Sequence, residues 1–290
     1  MDLSCWRLAL NGAETVRAQT LDRFYERFGR LGLRREALTP VYGLSEAALA
    51  VTFTPPNEPP TVICADREAL SNGELSLADD GMPLVSVGKP LDGYSIEIRG
   101  PEGDPCPPDT VGTLHVRGPS LLRGYIGIEE QPVEDGWLHT GDRALLHEHY
   151  LYIVGRQRDI IVMRGRNHDP AEIESAVGEV PGIRTGCVVA VGSMDDEGEH
   201  LWVFAEVREQ RKQLAEECLQ SIRARCALTA DLVALVEPGA LPRTSSGKLR
   251  RQEALTRFRD GTLMPPARVG PLFMAGAWAR SALGYLGAEL

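Results

Sequence analysis

The sequence predicts an α/β layer joined to a β-rich subdomain and followed by a small α+β domain. Three observations lead there. A strand-like run, a glycine turn and a helix-spaced run follow one another between Trp6 and Leu31. Short alternating strands set between Gly, Pro and Asp clusters fill the stretch from Pro83 to Val154. After residue 156, helix-spaced and strand-like runs mix again. The expected bounds are 1–156 for a large domain, with its α/β part at 1–80 and its β-rich part at 81–156. Residues 157–262 then form the small domain and 263–290 an appended tail or linker.

Trp6 to Leu10 reads as a short strand that stops at Asn11-Gly12, and Ala13 to Leu31 as a helix with Val16, Leu21, Phe24 and Phe28 at helical spacing. Strand, turn and helix are the repeating unit of a layered α/β fold. Ala47 to Val51 is expected to form a short helix, and Thr54 to Pro60, rich in proline, a loop. Tyr94–Ile98, Thr113–Val116 and Leu151–Val154 alternate like strands. Asp169-Pro170 is a helix start, with Asp as cap and Pro in the first helical position, and Pro181-Gly182 ends that helix. Strands near Gly186–Val191, Leu201–Val207 and Leu232–Val236, with a helix over Arg211–Arg225, complete the small domain.

Hydrophobic content of 43% and charged content of 25% place the 290 residues among ordinary globular chains. A formal net charge of −10 argues against nucleic-acid binding, which needs a basic surface. The six cysteines are scattered without a CxxC pair and read as reduced thiols of a cytoplasmic protein, not as a disulfide framework or zinc site. The N-terminal residues lack the design of a signal peptide, and no apolar run reaches the roughly 18 residues of a membrane span. No stable membrane insertion is expected. Ala267 to Leu290 is apolar but broken by Arg268, Gly270, Pro271 and Arg280, which suits an appended helix or linker.

Three loops carry the chemistry. Tyr42-Gly43-Leu44-Ser45-Glu46 offers a ring, a hydroxyl and an acid; His139-Thr140-Gly141-Asp142 offers a carboxylate; Pro242-Arg243-Thr244-Ser245-Ser246-Gly247-Lys248 offers a lysine on a flexible turn. Together they suit a nucleotide ester: a ring for a base, an acid for a ribose diol, a hydroxyl and an ammonium for phosphate, and a carboxylate for Mg²⁺. The Lys248 loop is not a Walker loop, because Pro242 stands where glycine is needed and Leu249 where Ser or Thr would hold the metal. His147-Glu148-His149 has metal-like spacing but no third ligand nearby, so a solvated turn is the preferred reading. Arg164, Arg166, Arg243, Arg250 and Arg251 form either a local basic face or separate solvated charges.

These motifs, taken with Asn11-Gly12-Ala13-Glu14, Arg117-Gly118-Pro119-Ser120, Gly136-Trp137-Leu138-His139 and Arg164-Gly165-Arg166-Asn167-His168-Asp169-Pro170, resemble the adenylate-forming superfamily of acyl ligases, luciferases and peptide-synthetase adenylation domains. Within it the likeness is to the fatty acyl-AMP ligases, to which Ala65-Asp66-Arg67-Glu68-Ala69-Leu70 also points. It extends from Met1 to about Phe258. The family's Ser/Thr/Gly-rich phosphate loop precedes the point where this sequence starts. The resemblance therefore implies a ligase architecture lacking its N-terminal part, possession of which by a separate polypeptide is one arrangement it allows.

The resemblance also implies roles. Tyr42 stacks on adenine, with Gly12, Ala13 and Glu14 lining the other side and Gly43 in the same loop. Ser45 bonds the α-phosphate and Glu46 holds Mg²⁺. Asp142 takes both ribose hydroxyls, with Arg156 as a second ribose contact. Lys248 reaches the oxygen bridging ribose and α-phosphate. Arg158 matches the hinge between large and small domains, or is a surface arginine. The implied activity is ATP-dependent conversion of a fatty acid to acyl-AMP, with transfer to an acyl carrier protein or polyketide synthase. Two other readings stay open: an acyl-CoA synthetase of the same superfamily, and a non-catalytic nucleotide-binding fragment.

Overall fold

The computed structural model describes residues 1–127, 131–163, 166–195, 198–209 and 211–264. The Arg164-Gly165 pair and the tail from 265 to 290 lie outside the described residues. Contacts divide the chain into two units, Met1–Glu172 with Met194–Glu199, and Ile173–Ser193 with the described residues from His200 onward.

The first unit opens with β1 (Ala9–Asn11), α1 (Ala18–Phe28) and β2 (Leu38–Tyr42). β1 and β2 pair in parallel, Asn11 opposite Pro40, so the chain must cross over between them, and α1 makes that crossing. β3 (Thr52–Phe53) and β6 (Lys89–Pro90) extend the sheet on the far side of β2. Between them lie β4 (Val62–Ala65), the short helix α2 (Arg67–Ser71) and β5 (Met82–Val85), with β4 and β5 paired antiparallel. Asp66 caps α2 by accepting the Ala69 N–H at 2.8 Å.

β7 (Ser95–Arg99), β8 (Gly112–Arg117), β9 (Val133–Glu134), β10 (Trp137–His147) and β11 (Tyr150–Arg156) form the β-rich sheet, in the order β11-β10-β8-β7 with β9 on β10. One core joins it to the α/β layer: Leu21, Leu38, Ile98, Leu114, Val116 and Leu151 are all buried in a single cluster. The hairpin β12 (Ile161–Met163) and β13 (Arg166–His168) follows, with Arg166 donating to Glu68 Oε1 at 2.8 Å and Asn167 N–H to Ser71 Oγ at 3.2 Å.

Three local expectations need correction. The strand expected over Trp6–Leu10 pairs only from Ala9, and Trp6 and Leu8 are left exposed. The first helix starts at Ala18, not Ala13, because Ala13 has φ of 71°, which a right-handed helix cannot contain. The helix expected over Ala47–Val51 is a single 3-10 turn at Ser45–Ala47, ended by Ala48 and Leu49 at φ of 51° and 95°. His147-Glu148-His149 forms the tight turn joining β10 to β11, with Glu148 and His149 both at positive φ. His147 Nδ1 lies 2.7 Å from Asp109 Oδ1 there.

α3 (Pro170–Gly178), starting on the Asp169 cap that accepts the Ala171 N–H at 3.0 Å, carries the chain into the second unit, most of which is built from β14 (Ile183–Asp195), β15 (Gly198–Val207) and the elements after them. α4 (Leu214–Cys226) crosses to β16 (Leu232–Val236), which runs parallel to β15. α5 (Arg251–Arg259) closes the core, which gathers Val189, Val191, Phe204, Leu241, Ala254 and Leu255. Among the described residues no helix is long and apolar enough to cross a membrane.

Candidate functional site

Asp142 owes its place to a bulge, where the sequence suggested a turn. β10 pairs His139 with His115 and next Arg143 with Thr113, so Thr140, Gly141 and Asp142 stand opposite the single residue Leu114. Gly141 takes φ of 72°, and Thr140 Oγ1 ties the bulge down by donating to the Leu114 carbonyl at 2.8 Å and accepting the Asp142 N–H at 3.1 Å. On the other side Asp142 pairs with Arg156 of β11. The Asp142 carboxylate is buried, at 5% exposure.

Two groups hold that carboxylate. The Tyr42 phenol, at the end of β2, donates to Oδ2 at 2.6 Å, and Arg156 Nε donates to Oδ1 at 2.9 Å. Burial of the phenol and the neighbouring Asp142 charge both push the Tyr42 pKa far above its ordinary value, so Tyr42 is a neutral donor. A carboxylate has about four acceptor positions. Tyr42 and Arg156 fill one on each oxygen, and the second on each has no partner among the described residues. Tyr42, Asp142 and Arg156 are thus brought together from three separate strands.

Gly12 and Gly43 are fixed by close backbone approach. A Cβ on Gly12 would lie 2.7 Å from the Val41 carbonyl oxygen, and one on Gly43 only 1.5 Å from that of Leu49. Ala13 and Glu14, next to Gly12, are exposed, as is Ser45. Glu46, in the 3-10 turn, accepts from the Tyr125 phenol at 2.5 Å, and its own carbonyl accepts the Leu122 N–H at 2.7 Å. The hydrogen bond to Glu46 raises the Tyr125 pKa, while the positive charge of Arg158 acts on the same phenol in the opposite sense. Arg158 itself is exposed in a 3-10 turn over Gln157–Asp159. Tyr125 escaped the sequence reading; its signal is weak, an aromatic after Gly124 in an exposed loop.

Lys248 lies in the second unit, on a tight hairpin-like loop. Thr244 N–H donates to the Lys248 carbonyl at 2.8 Å, Lys248 N–H to Thr244 Oγ1 at 3.0 Å, and Gly247 takes φ of 89°. Arg243 and Leu249 bridge across it. Lys248 is half-exposed, and its ammonium makes no ion pair among the described residues.

The donor sets fit a nucleotide and a hard cation. Asp142 keeps two acceptor positions for hydroxyls, and Glu46 keeps one oxygen clear of Tyr125. Among the described residues no group of three His, Cys, Asp or Glu side chains gathers to hold a metal. A cation at Glu46 would therefore complete its shell with phosphate oxygens and water, as Mg²⁺ commonly does.

Residues 1–126 match the family described as AMP-binding enzyme. The chain is 35% identical over 288 residues to a medium-chain-fatty-acid–[acyl-carrier-protein] ligase of Moorena producens, covering 91% of this chain and 49% of that protein. It is 30% identical over 315 residues to a long-chain-fatty-acid–AMP ligase of Mycolicibacterium smegmatis, covering 91% and 50%. A solved structure from work on fatty acyl-adenylate ligases of E. coli and L. pneumophila superposes with a TM-score of 0.82 at 34% identity, over 90% of this chain and 48% of that one. The chain spans about half the length of the curated relatives it matches.

Proposed function

We propose that this chain, whose residues 1–126 match the AMP-binding enzyme family and whose relatives include fatty acyl-AMP ligases, is an adenylate-forming enzyme that takes part in activating a fatty acid with ATP. One observation carries the reading: a buried carboxylate, Asp142, is held by Tyr42 and Arg156 with a second acceptor position left on each oxygen. Two adjacent ribose hydroxyls can each donate to one oxygen of such a carboxylate.

In this proposal the fatty-acid carboxylate attacks the α-phosphorus of ATP. A P–O bond forms, the bond to the β-phosphate bridging oxygen breaks, and pyrophosphate leaves with the electron pair. Tyr42 presents its ring to adenine beside Gly12, Ala13 and Glu14. Gly43 sets the turn that places Ser45 toward the α-phosphate. Arg156 supports the ribose, and Lys248 supplies positive charge at the oxygen bridging ribose and phosphorus. Catalysis of this kind is positioning plus charge stabilisation. Mg²⁺, when bound at Glu46, neutralises phosphate charge.

The acyl acceptor in this reading is the thiol of an acyl carrier protein, which attacks the acyl carbonyl and expels AMP. The domain bounds of the proposal are 1–156 and 157–262, and the small domain turns about Arg158 between the two steps. The names of the relatives support the acceptor class, since one acts on an acyl carrier protein.

The test is fatty-acid-dependent ATP–pyrophosphate exchange in the full-length protein. Lys248→Ala should lower its rate by roughly 10²–10³, the loss seen when one preorganised donor is removed. Undiminished exchange removes Lys248 from the mechanism. Product analysis then tests the acceptor: CoA thioester formed as readily as carrier-protein thioester replaces the acyl-AMP ligase reading with an acyl-CoA synthetase. AMP binding without any exchange replaces both with a nucleotide-binding module.

A further inference from the structure

The Lys248 loop is fastened at both ends by buried carboxylates. Glu206 on β15 is 1% exposed; its Oε2 accepts from Arg184 at 2.8 Å and its Oε1 accepts the backbone N–H of Leu241 at 3.2 Å. Leu241 immediately precedes Pro242, where the loop begins. Glu174 on α3 is 8% exposed, and Arg251 grips both its oxygens, Nε to Oε1 at 2.7 Å and the terminal nitrogen to Oε2 at 2.9 Å. Arg251 is three residues past Lys248 and starts α5. Glu174 also accepts the Ala190 N–H of β14 at 3.2 Å, so the helix, the strand and the loop end meet on one carboxylate.

Between the two anchors the loop is cross-braced. Arg243 donates to the Gly247 carbonyl at 2.8 Å and to the Gly186 carbonyl at 3.2 Å, and the Arg250 N–H closes the base on the Pro242 carbonyl at 3.0 Å. A buried ion pair is a poor way to gain stability, since apolar side chains of similar volume often serve as well or better. What such a pair does supply is a fixed geometry: a bidentate guanidinium–carboxylate contact has one orientation, whereas apolar packing tolerates sliding. The bidentate Arg251–Glu174 pair beyond one end of this exposed loop, and the Leu241 N–H bond to the buried Glu206 carboxylate at the other, are placed where geometry would otherwise be lost in a stretch of Thr244, Ser245, Ser246 and Gly247.

We infer that Glu206 and Glu174 are positioning residues for Lys248, setting the ammonium in register with the charge that develops in adenylation. The inference rests on the proposed role of Lys248. It requires neither carboxylate to touch substrate.

Amide hydrogen exchange at Gly247 and Lys248, read alongside ATP–pyrophosphate exchange in the full-length protein, tests it. In Glu206→Met and Glu174→Met the fold should persist by circular dichroism while these two amides exchange about tenfold faster. The turnover of pyrophosphate exchange should fall about tenfold or more with the KM for ATP within about twofold, because the lysine acts in the transition state. Glu206→Gln, which keeps an acceptor for the Leu241 N–H, should recover most of both. Wild-type amide rates in folded Met variants overturn the inference. Should the Met variants fail to fold, Glu174→Gln, which leaves the Arg251 guanidinium only a neutral acceptor, gives the reading: unchanged amide rates there overturn the inference equally. Lys248→Ala separates the two layers: full pyrophosphate exchange in that variant defeats the role of Lys248 whatever the amide rates are.

Discussion

Tyr42 and Asp142, 100 residues apart in sequence, are joined by a 2.6 Å hydrogen bond from phenol to carboxylate. The bond couples the end of β2 to the bulge in β10, so the proposed base-binding and ribose-binding groups cannot move independently. Tyr42→Phe should cost about 1–3 kcal/mol in urea unfolding, since the buried Asp142 oxygen loses a partner. The pH profile gives a second reading. The Tyr42 pKa is raised in the folded state by burial first and by Asp142 second. Its contribution is therefore whole below the ordinary value of 10.0 and is lost as pH rises past it. Wild type should lose stability above that pH, and Tyr42→Phe should lose less.

Gly43→Ala should unfold or severely destabilise the first unit. The added methyl would lie 1.5 Å from the Leu49 carbonyl oxygen, a backbone atom that has no rotamer to escape through. Overpacking usually costs about 1–3 kcal/mol, and a backbone clash belongs at or above the upper end. Thermal melting measures it; a melting temperature equal to wild type would show that the Ser45–Ala47 turn relaxes freely.

Acid should weaken the fold through two histidines. Burial lowers the pKa of His115 and of His168 below the ordinary 6.5. A lowered histidine leaves stability intact above the unfolded value and erodes it as pH falls, because the unfolded chain takes up the proton first. Unfolding free energy should therefore drop from pH 7 toward pH 5, and the slope should flatten in His115→Gln/His168→Gln. An unchanged slope in the double variant assigns the acid sensitivity elsewhere.

The edge of β1 should act as an association surface. Among the described residues β1 pairs with β2 alone, and Trp6, Leu8 and Leu10 are exposed at 41%, 45% and 58%. An apolar, unpaired edge invites pairing with another chain. Sedimentation velocity on this chain should show concentration-dependent association that Leu8→Lys/Leu10→Lys reduces. A monodisperse wild-type monomer contradicts it.

Much of the architecture was legible because local signals and packing agree. Asp169-Pro170 starts α3, and Leu232–Val236 is β16 to the residue. The misses have specific causes. β10 was hidden because Thr140-Gly141-Asp142 interrupts its alternation, and that interruption is the bulge that turns Asp142 inward. Ala47–Val51 had helix formers but lost to tertiary contact, since Gly43 packs against the Leu49 carbonyl and forces left-handed residues there. α5 was missed because Arg251–Arg259 is mostly polar or charged and buries only Ala254 and Leu255.

The candidate site shows the same division. Tyr42, Asp142, Glu46 and Lys248 could be singled out because their loops have distinctive residue patterns. Glu206 and Glu174 could not. An acid in the apolar run Leu201–Val207 was a signal in hindsight, because that strand is covered on both faces and a buried carboxylate there needs partners. Those partners, Arg184 and the Leu241 N–H, are distant in sequence and carry no spacing that a reader can follow.

The most direct measurement is calorimetric titration of AMP into this chain and into its Asp142→Asn variant. Asparagine keeps the size of the side chain but replaces one acceptor oxygen with a donor. The account predicts that AMP binds the wild type and that the variant binds at least about tenfold more weakly, as loss of a charged hydrogen-bond acceptor entails. Equal affinity in the two proteins would contradict it, because Asp142 would then have no part in holding the nucleotide.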